Sequence, residues 1–414
     1  MKKVFFKTFG CRTNVFDSQV MMSRLDGYEV TQDEGKADVI VVNSCTVTNG
    51  ADSSVRGYIN YANKFGDVKI LLTGCGAHTK GESLFKDEKI FGVFGQSEKE
   101  KINTLLEAPR PFYELGDLDF IDDNIVDDFV GKSRAFIKIQ EGCDFRCSYC
   151  IIPFVRGDAR SMDEENILEQ IRNLAANGFG EFVLTGTNVG SYGKGSGTSM
   201  ATLLKKISYI RGVRRIRLGS IEPIQIDDEF KEILGESWIE KHLHIALQHT
   251  SKEMLRIMNR RNKFESDIVL FNELAEKGFA LGTDFIVGHP GETDALWDEA
   301  MQNLKMLPLT HIHAFTYSKR DLTPSAQLEQ SVNGNVSKER MAELTATVNS
   351  KNLEFRTRQT TPLDVLIESK KDGFYYGLDQ YFNKIHVNSD EDLVGNWLSI
   401  ENYIVKEESN YAEF

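Results

Sequence analysis

Four of the chain's cysteines stand directly behind short β-branched or apolar runs: Cys11 after KVFFKTFG, Cys45 after ADVIVVNS, Cys75 after KILLTG and Cys143 after SRAFIKIQEG. Runs of this length read as strands, and helix-like stretches such as FDSQVMMSRL lie between them. That alternation predicts an α/β chain, with parallel sheets covered by helices. Ligands of such sheets bind beyond the carboxyl ends of the strands. Three strands running the same way would therefore bring Cys11, Cys45 and Cys75 to one edge. Single buried cysteines are ordinary core residues. Three at strand ends, beside glycine or polar loop residues, point instead to a metal site.

With 414 residues the chain has length for two or three domains. Residues 1–106 read as an N-terminal parallel-sheet α/β domain ending in IFGVFG. Residues 107–130 contain two prolines and many aspartates and read as a solvated acidic linker. From 131 to 359, six strand-like runs alternate with amphipathic stretches such as DEENILEQIRNLAANG: SRAFIKIQ, EFVLTGT, RIRLGS, HLHIALQ, LGTDFIVG and HIHAFTYS. Six β–α units without a dinucleotide fingerprint suggest a partial or complete barrel, a (β/α)6 arrangement with its chemistry at the carboxyl ends of the strands. Residues 360–414 alternate in short strands separated by turn residues, as in a small antiparallel β-barrel.

The opening MKKVFFKTFGC imitates a secretion signal, but Lys7 breaks its apolar run after three residues. No later segment approaches membrane-spanning length, so a cytoplasmic location is expected, where clustered thiols mean metal or catalysis more often than disulfides. A net charge of −13 argues against a generally basic nucleic-acid binder. Two local basic stretches, KKISYIRGVRRIR (205–217) and MLRIMNRRNK (254–263), read best as solvated faces.

CDFRCSYC places Cys143, Cys147 and Cys150 within eight residues, without a nearby fourth ligand. Structural zinc normally takes four. Three thiolates suit a cubane iron–sulfur cluster whose remaining iron stays free for a substrate.

This C-x3-C-x2-C spacing matches the signature of the radical S-adenosylmethionine enzymes. The ordered series GCRTNVFDS, VVNSCTVT, LTGCGA, CSYCIIPFVRGDARS, LTGTNVGSYG, SIEP, MNRR, TDFIVGHPGET and FTYSKR resembles their methylthiotransferase branch along nearly the whole chain. The resemblance implies that Cys143, Cys147 and Cys150 hold a [4Fe–4S] cluster that binds S-adenosylmethionine, whose reductive cleavage gives a 5′-deoxyadenosyl radical. It implies a second [4Fe–4S] cluster on Cys11, Cys45 and Cys75 that carries the sulfur to be inserted. A second S-adenosylmethionine would supply the methyl group. An electron donor such as flavodoxin or ferredoxin and a sulfur donor are implied as partners.

By the same resemblance Thr187, Asn188, Ser220 and Glu222 border the S-adenosylmethionine pocket. Gln248 joins them, although the sequence reads QHTS where the family often reads Gln-Ser-Gly. His289 replaces a usual phenylalanine and is expected to be a packed, hydrogen-bonded residue. The C-terminal part resembles the TRAM module, which binds RNA. From Thr360 onward, four lysines face eleven acidic residues, so RNA contact there would rest on Tyr375, Tyr376, Tyr381, Phe382 and Lys384, with about half of these aromatics in the core. Arg260, Arg261, Arg356 and Arg358 are the remaining candidates for RNA or cofactor contact.

NSCTVT and RGDARS look most like the branch acting on tRNA threonylcarbamoyladenosine next to the anticodon. The other branches act on isopentenyladenosine in tRNA or on a ribosomal-protein aspartate. From different classes, a zinc-stabilised RNA-binding module would be colourless and would not cleave S-adenosylmethionine, and an electron-transfer iron–sulfur protein would need no cofactor pocket. The six-strand series and GTNVGSYG count against both.

Overall fold

The structure, a computed structural model, describes residues 1–127, 129 and 132–414. The linker boundary expected at 130/131 lies outside the described residues.

β1 (Lys2–Thr8), β2 (Tyr28–Val30), β3 (Val39–Ser44), β4 (Lys69–Gly74), β5 (Gly92–Phe94) and β6 (Phe112–Glu114) form an all-parallel sheet in the order β2-β1-β3-β4-β5-β6. The central strand β3, VIVVNS, is buried at every residue, as a parallel sheet covered on both faces requires. The two edge strands escape sequence reading because YEV and FYE are only three residues long and partly exposed.

The middle of the chain begins with β7 (Ala135–Lys138) and a two-stranded antiparallel pair, β8 (Gln140–Glu141) with β9 (Arg160–Ser161). β10 (Glu181–Thr185) pairs in parallel with β7 and with β11 (Arg215–Leu218). β12 (His242–His244), β13 (Ala280–Val287) and β14 (Leu309–Thr316) form a second parallel trio. Single bridges, Ile216 to Ile239 and Ile221 to Ile245, join the two trios into a six-stranded partial barrel. Among the described residues no ladder joins β14 back to β7.

The helix Arg12–Ser23 follows β1 yet inserts Phe16 and Val20 into the same core as the barrel strands. Its polar residues Asn14, Asp17 and Ser18 are buried as well. A helix enclosed on nearly all sides lies between two bodies rather than on the surface of one.

Around Asp17 the two bodies share a buried charge network. Lys138 Nζ lies 2.7 Å from Asp17 and 3.0 Å from Glu141, and it also meets Asp122. Lys99 pairs with Asp17 at 3.0 Å and with Asp122, while Arg156 pairs with Asp17 at 3.0 Å and with Glu141. Burial opposes ionisation of Asp17 and Asp122, but the surrounding cations win and hold both well below the usual carboxylate range. The segment expected to be a solvated linker is exposed or half-buried over 107–121, and the expectation is corrected beyond it: Asp122, Asn124, Val126 and Phe129 are buried, because Lys99 and Lys138 replace water around Asp122 and the two apolar residues enter the barrel core. Lys138→Met leaves the acids short of a cation and is expected to cost about 3–5 kcal/mol, read from the urea midpoint.

β15 (Leu363–Lys371), β16 (Phe374–Leu378), β17 (Lys384–Asn388), β18 (Trp397–Ile400), β19 (Ile404–Val405) and β20 (Asn410–Glu413) make the C-terminal sheet, ordered β18-β15-β16-β17-β20-β19. It is a curled, mainly antiparallel sheet, as expected of a small antiparallel barrel, with one parallel pair, β17 and β20.

Several cations expected at the surface hold this sheet to the barrel. Arg215 and Arg217 pair with buried Glu181, and Arg217 also pairs with Glu240 and donates to the carbonyl of Asp379 at 2.7 Å. The basic stretch 205–217 is therefore partly interior. Arg356, a candidate for RNA contact, is 1% exposed and donates to the carbonyls of Lys406 and Glu407 and to Asn410. Tyr381 is 8% exposed and packs edge-on against Phe355. Neither side chain faces a ligand from solvent. Arg358 and Lys384 are exposed.

Candidate active site

The loop that follows β8 is built around glycine. Gly142 has φ +72°, and a Cβ there would lie 1.8 Å from the carbonyl oxygen of Asp158. Only glycine lets the chain turn so close to its neighbour and present Cys143. Ser148 anchors the far side of the loop, its N–H donating to the Met258 carbonyl and its hydroxyl to the Ile257 carbonyl, both at 2.9 Å. Gly74 serves the first sheet in the same way: with φ +85° its Cα approaches the Ser44 backbone so closely that a Cβ would meet that oxygen at 2.4 Å. β3 and β4 can therefore end side by side, with Cys45 and Cys75 at their tips.

Cys143, Cys147 and Cys150 line a cavity of about 400 Å3, and Cys11 of the other trio reaches it too. Thr187, Asn188, Ser220, Glu222 and Gln248, taken from the ends of successive barrel strands, line the same cavity. All six cysteines are free thiols. Burial pushes Cys150 up to about 12 and Cys45 up to about 11, and neighbouring thiols add to both. Cys75 and Cys143 rise for the same reasons. Burial thus favours the protonated thiols, and a positively charged metal group spread between the sulfurs is what would hold them as thiolates.

Polar neighbours complete the fit. The Asn188 amide Nδ2 donates to Cys143 Sγ at 3.6 Å, and its buried Oδ1 has no partner. Gln140 Oε1 accepts the Asn188 backbone N–H at 2.8 Å. Arg260 Nη1 donates to Cys147 Sγ at 3.5 Å and to Glu222 Oε1 at 2.8 Å. Arg260 was a candidate for RNA contact, but its side chain is 1% exposed; it lies under the cysteine loop. Burial pushes the Glu222 carboxyl above its usual value, and Arg260 partly offsets this. Arg260→Lys keeps the charge but loses the fork, and is expected to slow S-adenosylmethionine cleavage about 10–100-fold, measured as 5′-deoxyadenosine release.

The second trio has its own cation. Arg156 Nε donates to Cys75 Sγ at 3.2 Å, and Nη2 donates to Asn14 Oδ1 at 2.6 Å. Sequence reading missed Arg156, Asn14 and Gln140. The available signal was their position, Arg156 within PFVRG and Asn14 three residues after Cys11. Arg261 is exposed and stacks on Phe145, its guanidinium 4.2 Å from the ring centre. His289 is buried, bonded to Pro290 O and Ser325 Oγ at 2.8 Å each, and burial holds it down at about 4. Such a neutral imidazole belongs to the packing. Among the described residues no helix is long and apolar enough to cross a membrane.

Residues 3–95 match the model of the Uncharacterized protein family UPF0004, and residues 137–304 match that of the Radical SAM superfamily. A Helicobacter pylori protein provisionally named a methylthiotransferase is 53% identical over the full length of both chains. The threonylcarbamoyladenosine tRNA methylthiotransferase of Bacillus subtilis is 33% identical over 97% of this chain and 94% of its own. The tRNA-2-methylthio-N(6)-dimethylallyladenosine synthase of Clostridium novyi is 32% identical over the same shares. Among solved structures, the radical S-adenosylmethionine methyltransferase TsrM of Kitasatospora setae superposes with a TM-score of 0.62 at 16% identity, over 79% of this chain and 77% of that one.

Proposed function

The chain belongs to the radical S-adenosylmethionine methylthiotransferase family, and we propose that its substrate is N6-threonylcarbamoyladenosine in tRNA, methylthiolated at C2. The family works with S-adenosylmethionine and [4Fe–4S] clusters. The observation that carries the reaction class is that Cys11, one member of the first trio, opens onto the cavity lined by Cys143, Cys147 and Cys150. A reaction that needs hydrogen abstraction and sulfur delivery at one carbon requires that proximity.

Cys143, Cys147 and Cys150 would hold one cluster, and Cys11, Cys45 and Cys75 the other. When bound, these groups supply reductive cleavage of S-adenosylmethionine and insertion of sulfur. The chain's residues supply the setting. Asn188 and Arg260 direct N–H groups at the sulfurs of Cys143 and Cys147, which stabilises negative charge there. Arg260 also fixes the Glu222 carboxylate at the cavity wall, a position suited to a cofactor ammonium. The Thr187 hydroxyl is held by the Gly142 carbonyl and Gln248 by its backbone bond to Asp284, so both are pre-oriented. Arg156 performs for Cys75 the service that Arg260 performs for Cys147.

On the substrate, NSCTVT and RGDARS favour the threonylcarbamoyl branch, and whole-chain identities of 33% and 32% do not separate the two tRNA reactions. For RNA contact we replace Tyr381 and Arg356 by the outer face of the C-terminal sheet. Tyr376 and Tyr411 flank His386 at 4.5 and 4.4 Å, beside exposed Phe374, and Lys406 lies 4.0 Å from the Tyr411 ring. Rings with an adjacent cation make a stacking platform that works despite the acidic surroundings. Such a role places the protein in the cytoplasm, supplied by an electron donor and a sulfur donor. The test is nucleoside mass spectrometry of tRNA from cells lacking the gene, with and without re-expression. Loss and recovery of 2-methylthio-threonylcarbamoyladenosine is expected. Loss of the isopentenyl form instead would move the substrate, and no change in either would turn attention to the ribosomal-protein aspartate.

A further inference from the structure

β12, β13 and β14 carry a group of side chains that the cysteine chemistry leaves unused. His242 and His244 lie on β12, Asp284 on β13, and His311 and His313 on β14. Register sets His244 beside Gly282, Gly282 beside His311, and Asp284 beside His313. Because side chains alternate along a strand, these residues share one face. Gly282 makes the room: a Cβ there would lie 3.0 Å from His242 Nε2 and 3.1 Å from His244 Nδ1.

The histidines divide into two kinds. His311 Nδ1 is engaged with the Thr310 hydroxyl at 2.8 Å, and His242 stacks on Phe382 at 4.8 Å with an interplanar angle of 17°. His244 and His313 instead converge on one carboxylate. His244 Nε2 lies 3.1 Å and His313 Nδ1 3.6 Å from Asp284 Oδ1, and one ligand atom from each residue falls within 4.8 Å of the others. Ligands about 2.1 Å from a tetrahedral ion are separated by about 3.4 Å, so this spacing brackets the edge of such a site.

A second observation concerns the burial of His244. His244 is only 9% exposed, and its Nε2, 3.1 Å from Asp284 Oδ1, forms no well-aligned hydrogen bond. A buried ring nitrogen that faces a carboxylate without a well-formed hydrogen bond is a cost that an ion held between the two would remove. His313 is 57% exposed on its side chain, which gives an entry path, and Asp284 lines the cavity of the cysteine loop.

We propose that His244, Asp284 and His313 form a mononuclear site for a divalent first-row transition ion, separate from the six cysteines. Two imidazoles and one carboxylate are a borderline-hard donor set that takes zinc and leaves a coordination position open. Zinc is the probe.

The test uses full-length protein carrying its iron–sulfur clusters, equilibrated anaerobically with zinc, freed of loose metal and assayed for zinc and iron together. About one zinc per chain is expected, with iron content unchanged. His313→Ala, at a half-exposed position, should weaken zinc binding at least about tenfold against a competing chromophoric chelator while retaining iron. Asp284→Asn should do the same. If the unaltered protein takes up no zinc, takes it up only with matching loss of iron, or binds it equally well as His313→Ala, the proposal is overturned. None of these readouts depends on the tRNA substrate, so failure here leaves the methylthiotransferase assignment untouched.

Discussion

Cys147→Ala is expected to abolish cleavage of S-adenosylmethionine, a fall on the order of 10³-fold or more, equivalent to roughly 4 kcal/mol in the barrier. The reasoning starts from donor count. Three thiols converge on the cavity, and Cys147 is the one that Arg260 reaches. Two remaining thiolates cannot keep three corners of a cubane. About four of about eight iron atoms per chain should be lost, and 5′-deoxyadenosine should fall to background. The protein should still fold, since Ser148 anchors the loop through its own bonds to Ile257 and Met258. Full iron content with undiminished cleavage would show that Cys147 is not a ligand.

Cys45→Ala should separate the two halves of the reaction. Cys45 stands at the tip of β3 in the first sheet, and its loss leaves Cys143, Cys147, Cys150 and the Glu222–Arg260 pair in place. Cleavage to 5′-deoxyadenosine should persist within a few-fold, while methylthiolated product falls on the order of 10³-fold. Both quantities can be read from one reaction by mass spectrometry. A variant that still made product at the normal rate would remove the first trio from the chemistry.

The strands that carry this site were legible because each writes its own signal. VIVVNS and ILLTG are continuous apolar runs, and each leads straight into a cysteine. The cations were not legible for a physical reason. Arg215, Arg217, Arg260 and Arg356 look like surface charge in one dimension, and only folding shows that Glu181, Glu222, Glu240 or a set of backbone carbonyls waits for each of them. Asp122 and Asp17 are 105 positions apart and meet only through Lys99 and Lys138. No local pattern encodes such a pairing, so an aspartate-rich segment reads as a solvated linker. Tyr381 failed differently: its ring suits stacking on a base as well as filling a core, and its neighbour Phe355 decides the matter.

The charge network around Asp17 has a bearing on chimaeras. Its members come from five places in the chain: the first helix, the Lys99 turn, the Asp122 segment, the β7–β8 corner and the PFVR helix. Grafting onto this barrel the first sheet of a relative without Asp17 or Lys99 would remove part of the set and leave a stranded charge at the seam. The tolerated unit of exchange is therefore all six residues, Asp17, Lys99, Asp122, Lys138, Glu141 and Arg156, moved together.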